Sequence, residues 1–171
     1  MPAPRDERFV IMGVAGAGKT LIGERFARAI GAGFVDGDDF HPPENVAKMA
    51  AGVPLTDADR AGWLTTLAAR IARARAGGAP LVVACSALKR SYRDTLRSGD
   101  PTLRFVLLDG PRDVIARRLS GRHGHFMPAA LLDSQFAALE RPGADEDVWT
   151  CDVRQPPDTI VADLAARAAG R

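Results

Sequence analysis

Phe9-Val10-Ile11-Met12-Gly13-Val14-Ala15-Gly16-Ala17-Gly18-Lys19-Thr20 is the stretch that decides the fold. Four apolar residues run into a glycine-rich turn, and from Lys19 onward Ile22, Phe26 and Ile30 recur every fourth residue. The first part reads as a buried strand and the last as an amphipathic helix. Between them stands G-x-x-x-x-G-K-T, the spacing of a phosphate-binding loop (P-loop), in the strand–turn–helix context that spacing requires. Its glycines let the backbone curl so that several N–H groups point inward. With the helix N-terminus they make a concave site for anionic oxygens. The backbone of Gly13, Val14, Ala15, Gly16, Ala17 and Gly18 is therefore expected to hold the phosphates of a nucleoside triphosphate. Lys19 should reach the β and γ phosphates, and the Thr20 hydroxyl should ligate Mg²⁺. The loop leaves the reaction open, because switch GTPases, motor ATPases and small-molecule kinases share it.

Outward from this loop, strands alternate with helices. Gly31 and Gly33 end the first helix, and Phe34-Val35 forms a second strand ending at Asp36-Gly37-Asp38. A short helix from about Glu44 to Ala51 fits between Pro42-Pro43 and Gly52-Val53-Pro54. Thr56 with Asp59 three positions on resembles a capping box, opening a helix with Trp63, Leu64, Leu67 and Ile71 on one face. Leu81 to Cys85, Leu103 to Leu108 and Val148 to Val153 read as further strands, separated by helices over about 88–97, 111–119 and from Pro128 onward. An alanine-rich helix ends the sequence. Apolar strands alternating with helices predict an α/β chain: a three-layer fold, a five-stranded parallel sheet with helices on both faces and a lid loop. The expectation is a single domain over 1–171.

Bulk properties narrow the function. The net charge of +2 is too small to argue for nucleic acid or an anionic membrane. No apolar run reaches the length of a bilayer span, the N-terminus is polar, and the expected compartment is the cytoplasm. Cys85 and Cys151 sit in apolar strands and read as buried reduced thiols. Only three lysines occur, Lys19, Lys48 and Lys89, in a chain that otherwise uses arginine for positive charge. Such economy suggests lysine where a compact ammonium is needed.

Asp36 and Asp38 end the second strand, and in open parallel sheets ligands bind beyond the carboxyl ends of strands. One carboxylate can hold Mg²⁺, directly or through water. The other can accept the proton of an attacking hydroxyl or orient it in line. Side chains two apart on a strand point the same way. Asp36, nearer Thr20, is therefore assigned to the metal and Asp38 to the acceptor. The third strand ends in Cys85-Ser86 instead of an acidic residue, which shifts the metal role further toward Thr20 and the Asp pair.

Longer blocks carry a resemblance. Asp36-Gly37-Asp38-Asp39-Phe40-His41-Pro42, Asn45, Lys48-Met49, and Gly52-Val53-Pro54-Leu55-Thr56-Asp57-Ala58-Asp59-Arg60 with Trp63-Leu64 resemble the gluconokinase family. So do Cys85-Ser86-Ala87-Leu88-Lys89, Tyr92-Arg93-Asp94, Arg122, Gly124-His125-Phe126, Gln135-Phe136, Leu139-Glu140 and Pro142-Gly143-Ala144-Asp145-Glu146. Ala15 and Ala17 stand where that family often has serines, which a cradle of backbone N–H groups tolerates. The resemblance implies a fold similar to shikimate and nucleoside-monophosphate kinases, and transfer of the γ-phosphate of ATP to the 6-hydroxyl of D-gluconate. It also implies a homodimer.

The acceptor then falls to the segment 38–63, with Asp38, His41, Lys48 and Arg60 as candidate contacts, joined by Lys89 and Arg93, one turn apart on the helix after the third strand. Which of Arg60, Lys89 and Arg93 meets the substrate carboxylate stays open at this level. The basic loop over about 120–128 is expected to be a lid, with Arg118 and Arg122 as candidates to stabilise charge on the γ-phosphoryl group. Gln155-Pro156-Pro157 resembles the loop that packs near adenine in this fold. Two rivals remain: a kinase for another small acid such as shikimate, and a nucleotide-binding switch without chemistry.

Overall fold

The computed structural model describes residues 7–121 and 129–170. Five strands form one wholly parallel sheet: β1 (Arg8–Met12), β2 (Gly33–Asp36), β3 (Leu81–Ala84), β4 (Arg104–Asp109) and β5 (Trp149–Asp152), in the order β2-β3-β1-β4-β5. Seven α-helices occur among the described residues: α1 (Lys19–Ile30), α2 (Pro43–Ala50), α3 (Asp57–Ala76), α4 (Arg90–Arg97), α5 (Arg112–Ser120), α6 (Ala129–Ala138) and α7 (Pro157–Ala169). Sheet, helices and their order match the sequence expectation. Of the expected lid, residues 122–128, Arg122 among them, lie outside the described residues.

Strand alternation explains why the central strands read as unbroken apolar runs. Phe9 and Ile11 of β1, Val82 of β3, and Val106 and Leu108 of β4 pack with Phe26 of α1, Ile115 of α5 and Leu164 of α7 on one face. Val10 and Met12, Val83, and Phe105 and Leu107 pack with Leu67 and Ile71 of α3 and Leu96 of α4 on the other. Both faces are covered, so both sets of alternate residues are apolar along the middle of these strands; Arg8, at the start of β1, is buried against Asp100. Phe9 and Phe26 meet edge to face with centroids 5.0 Å apart. Cys85 and Cys151 are free, buried thiols, as expected; burial pushes Cys85 up to about 12.

The capping box of α3 forms as its spacing predicts: Asp59 N–H donates to Thr56 Oγ1 at 3.1 Å, and Thr56 N–H to an Asp59 carboxylate oxygen at 2.9 Å. The chain leaves β1 for α1 on one face and β3 for α4 on the other, so a crevice opens beyond the carboxyl ends of these neighbours. That is the topological switch point where open α/β sheets bind ligands. The Gly13 N–H donates to Ser86 O at 3.2 Å, joining the loops that flank the crevice.

Candidate active site

The loop after β1 needs its glycines. Gly13 has φ +151, and a Cβ there would sit 2.8 Å from Leu108 O; Gly16 has φ +81, and its Cβ would meet the Leu119 side chain at 2.6 Å. Val14 and Ala17 bury their side chains in the core and offer the loop only backbone. Helix α1 opens on Gly18, with no side chain capping its first N–H groups. The polar groups of this loop are engaged within the protein. Lys19 Nζ donates to Val14 O at 2.9 Å, Ala15 N–H to Gln135 Oε1 at 2.6 Å, and Thr20 Oγ1 to Asp36 Oδ2 at 2.9 Å.

Beyond Asp36 the chain does not continue as a strand. It turns into a 3₁₀ segment, Gly37–Phe40, because Asp36 caps it: the Asp38 N–H donates to Asp36 Oδ1 at 3.0 Å. The strand-alternation argument for the Asp pair therefore fails as geometry. The two carboxylates still line one cavity, brought there by the cap and not by the pleat. Trp63 Nε1–H donates to Gly37 O at 2.7 Å, pinning this turn to α3.

The cavity has a volume of about 530 Å³. It is lined by Ala15, Gly16, Gly18, Lys19 and Thr20 of the P-loop and start of α1, by Asp36, Asp38 and Ser86 that end or follow β2 and β3, and by His41, Arg60 and Trp63. Met49, Leu55, Leu119, Leu131, Ser134 and Gln135 complete the lining. Arg60 donates to Tyr92 Oη at 3.0 Å and lies over that ring, 5.4 Å from its centroid. Tyr92 in turn donates to Asp57, which also accepts from Lys89 at 2.9 Å.

The other candidate cations are placed differently. Lys89 pairs with Asp57 outside the cavity lining, and this hydrogen bond raises its pKa. Lys48 donates to Asp59 at 2.8 Å and holds that carboxyl at about 2, with help from Thr56. Arg93 does not take part as expected. Its side chain is fully buried, bidentate to Glu146 at 2.7 and 3.0 Å, and it donates to the carbonyls of Ala87, Leu88 and Glu140. It braces the loop after β3 and drops out of the acceptor set. Arg118 is exposed on α5, where it adds to Arg154 in holding the Asp152 carboxyl at about 2. Gln155 and Pro156 are exposed between β5 and α7 and lie outside the cavity lining.

Ser86 and Gln135 are polar cavity residues to which the sequence reading gives no role. Ser86 follows β3 directly, at the carboxyl edge where ligands bind. Gln135 is a polar residue among Leu131, Leu132, Phe136 and Leu139, and it reaches 120 positions back along the chain to the P-loop.

Comparison with known proteins agrees with this architecture. The family model described as shikimate kinase matches residues 15–142. The chain is 49% identical to the thermosensitive gluconokinase of Escherichia coli (strain K12) over 148 residues, covering 86% of this chain and 79% of that one. It is 47% identical to the gluconokinase of Gluconobacter oxydans (strain 621H), covering 91% and 87%. The crystal structure of a gluconokinase from Sinorhizobium meliloti 1021 superposes with a TM-score of 0.88 at 46% identity, over 96% of this chain and 94% of that one. Shikimate kinase from Aquifex aeolicus shares the fold at 14% identity with a TM-score of 0.58, over 95% and 96%. A P-loop opening on an Asp pair, and long identities to gluconokinases over most of both chains, agree: the chain belongs to the gluconokinase family.

Proposed function

We propose that this chain is an ATP-dependent kinase that phosphorylates D-gluconate at its 6-hydroxyl, giving 6-phosphogluconate and ADP. One observation carries the reading: a single cavity joins the P-loop to Arg60, past Asp36 and Asp38. Arg60 is the one lysine or arginine besides Lys19 among the described lining residues. That favours it over Lys89 and Arg93 as partner of the substrate carboxylate. A guanidinium matches a carboxylate with two parallel N–H donors.

The residues fit the cofactors ATP and Mg²⁺. The glycine cradle and uncapped helix start suit phosphate oxygens. Thr20 Oγ1 and Asp36 Oδ2, 2.9 Å apart, are two hard oxygens of the kind Mg²⁺ takes beside water and phosphate. When bound, the metal neutralises charge on the phosphates. Lys19 exchanges Val14 O for phosphate oxygen. Asp38 accepts the proton of the 6-hydroxyl as its oxygen bonds to the γ-phosphorus and the bond to ADP breaks. Lys48 fixes the start of α3 through Asp59, and Lys89 steadies Arg60 through Asp57 and Tyr92, so both act at one remove.

Arg118 and Arg122 on the γ-phosphoryl group, a lid over 120–128, and Gln155 and Pro156 beside adenine belong to the same proposal. So do the acceptor segment 38–63 within a single domain over 1–171, the homodimer and the cytoplasmic location. Among the described residues no helix is long and apolar enough to cross a membrane. A coupled ADP-release assay over sugar acids, glucose, shikimate and nucleoside monophosphates tests the proposal. Gluconate should give the highest kcat/KM; shikimate as the best acceptor would overturn it.

A further inference from the structure

His41 stands beside Asp38 and could be a base, a donor or packing. The structure decides through Asn45, a polar side chain that is only 3% exposed. Asn45 Nδ2 lies 2.9 Å from the backbone oxygen of Asp59 and 3.2 Å from His41 Nδ1. A backbone carbonyl can only accept, so the atom facing it must be the amide nitrogen. Its second hydrogen then points at His41 Nδ1, which must be the acceptor of the ring. In a neutral imidazole the proton therefore sits on Nε2. Nε2 faces Asp38 Oδ1 at 3.9 Å.

Protonating the ring would set an N–H of His41 against an N–H of Asn45, and turning the amide over would break its bond to Asp59. Burial also lowers the His41 pKa, with Asp38 opposing and Arg60 assisting. The ring stacks on Trp63 at 4.0 Å and 17°, so it cannot rotate away without losing that contact. The side chain of His41 is 4% exposed, whereas that of Asp38 is 76% exposed and able to move.

We infer that His41 is a positioning residue for phosphoryl transfer: Asn45 fixes it as the neutral Nε2–H tautomer, and that N–H orients the Asp38 carboxylate toward the acceptor hydroxyl. The inference rests on the reading of Asp38 as the base and adds to it that His41 cannot be one, since its site-facing nitrogen already carries the proton. The 3.9 Å separation is longer than an N–H···O bond. Catalytic hydrogen bonds commonly tighten only when substrate is bound.

Long-range ¹⁵N–¹H correlation spectra of the full chain read the tautomer directly, the His41 signal being assigned by its loss in His41→Gln. The Nε2–H form is expected in the native chain, and the Nδ1–H form or an imidazolium at pH 7 overturns the inference. Kinetics separate donation from packing. His41→Phe keeps the stack on Trp63 and loses the N–H, whereas His41→Gln offers an N–H without the stack. His41→Phe should lower kcat on the order of 10-fold with the KM for ATP unchanged, and His41→Gln should be the faster of the two. The reverse order makes His41 a packing residue and refutes the inference. Adding His41→Phe to Asp38→Asn should slow the enzyme no further. Additive losses sink the role of His41 alone, whereas normal kcat in Asp38→Asn by itself sinks the base assignment.

Discussion

Arg60→Leu removes the guanidinium that lines the cavity and leaves a shorter apolar side chain on α3. Two interactions go with it. The first is the bond to Tyr92 Oη at 3.0 Å and the cation–π contact at 5.4 Å. Because Arg60 is partly exposed, their loss should cost no more than about 1 kcal/mol of stability. The second is the charge-assisted pairing with the substrate carboxylate, worth about 1.5–3 kcal/mol. At 1.4 kcal/mol per factor of ten, kcat/KM for gluconate should fall about 10- to 150-fold. The carboxylate lies at the far end of the substrate from the reacting hydroxyl and binds ground and transition states alike. Most of the loss should therefore appear in KM for gluconate, not in kcat, and KM for ATP should hold. Glucose, which has no carboxylate, should be a poor substrate of the native enzyme and should lose little in the variant, so the preference for gluconate over glucose should shrink by the same factor. Steady-state kinetics on both sugars read every part of this. An unchanged gluconate KM in a folded Arg60→Leu variant, with a large rise in Lys89→Met instead, would refute the assignment.

Other perturbations have sharp outcomes. Lys19→Ala should abolish turnover and leave the thermal unfolding midpoint close to native, since its ammonium acts on phosphate. Asp38→Asn should lower kcat by roughly 10²–10⁴-fold with ATP affinity retained, whereas Asp36→Asn should raise the Mg²⁺ concentration needed for half-maximal rate; a Mg²⁺ titration of both variants separates the roles. Arg93→Met leaves Glu146 buried without its bidentate partner and should cost about 3–5 kcal/mol in urea unfolding. Arg93, followed by Arg97, holds the Glu146 carboxyl down from 4.5 to about 2. The folded value lies below the unfolded one, so this stabilisation is complete above about 4.5 and is lost as pH falls through about 2. Arg93→Met should flatten the acid limb of a stability-versus-pH curve.

The elements were legible where local chemistry alone decides them. β1 and its loop follow from an apolar run meeting glycines at fixed spacing, and the start of α3 from the Thr56–Asp59 box, whose bonds span three residues. What the sequence hid was decided at a distance or by competition. Lys89 and Arg93 have the spacing of neighbours on a helix face, yet Lys89 precedes α4 and reaches Asp57, while Arg93 is claimed by Glu146, 53 positions on. The pattern that suggested a shared carboxylate site carries no trace of that partner. Strand alternation beyond Asp36 was overridden by the carboxylate itself, which captured the Asp38 N–H and started a 3₁₀ turn. Gln135 looked like one polar residue on a core helix because its partner, the Ala15 N–H, is backbone and leaves no mark in the side-chain pattern.

The central claim is that the P-loop and Arg60 face one acceptor and transfer phosphate to its distal hydroxyl. Phosphorus NMR of the reaction with ATP, Mg²⁺ and gluconate tests it most directly. The account predicts ADP and a new phosphomonoester in equal amounts, the ester signal split by the two methylene protons of C6. ADP without an ester, or an ester split by a single methine proton, would contradict it.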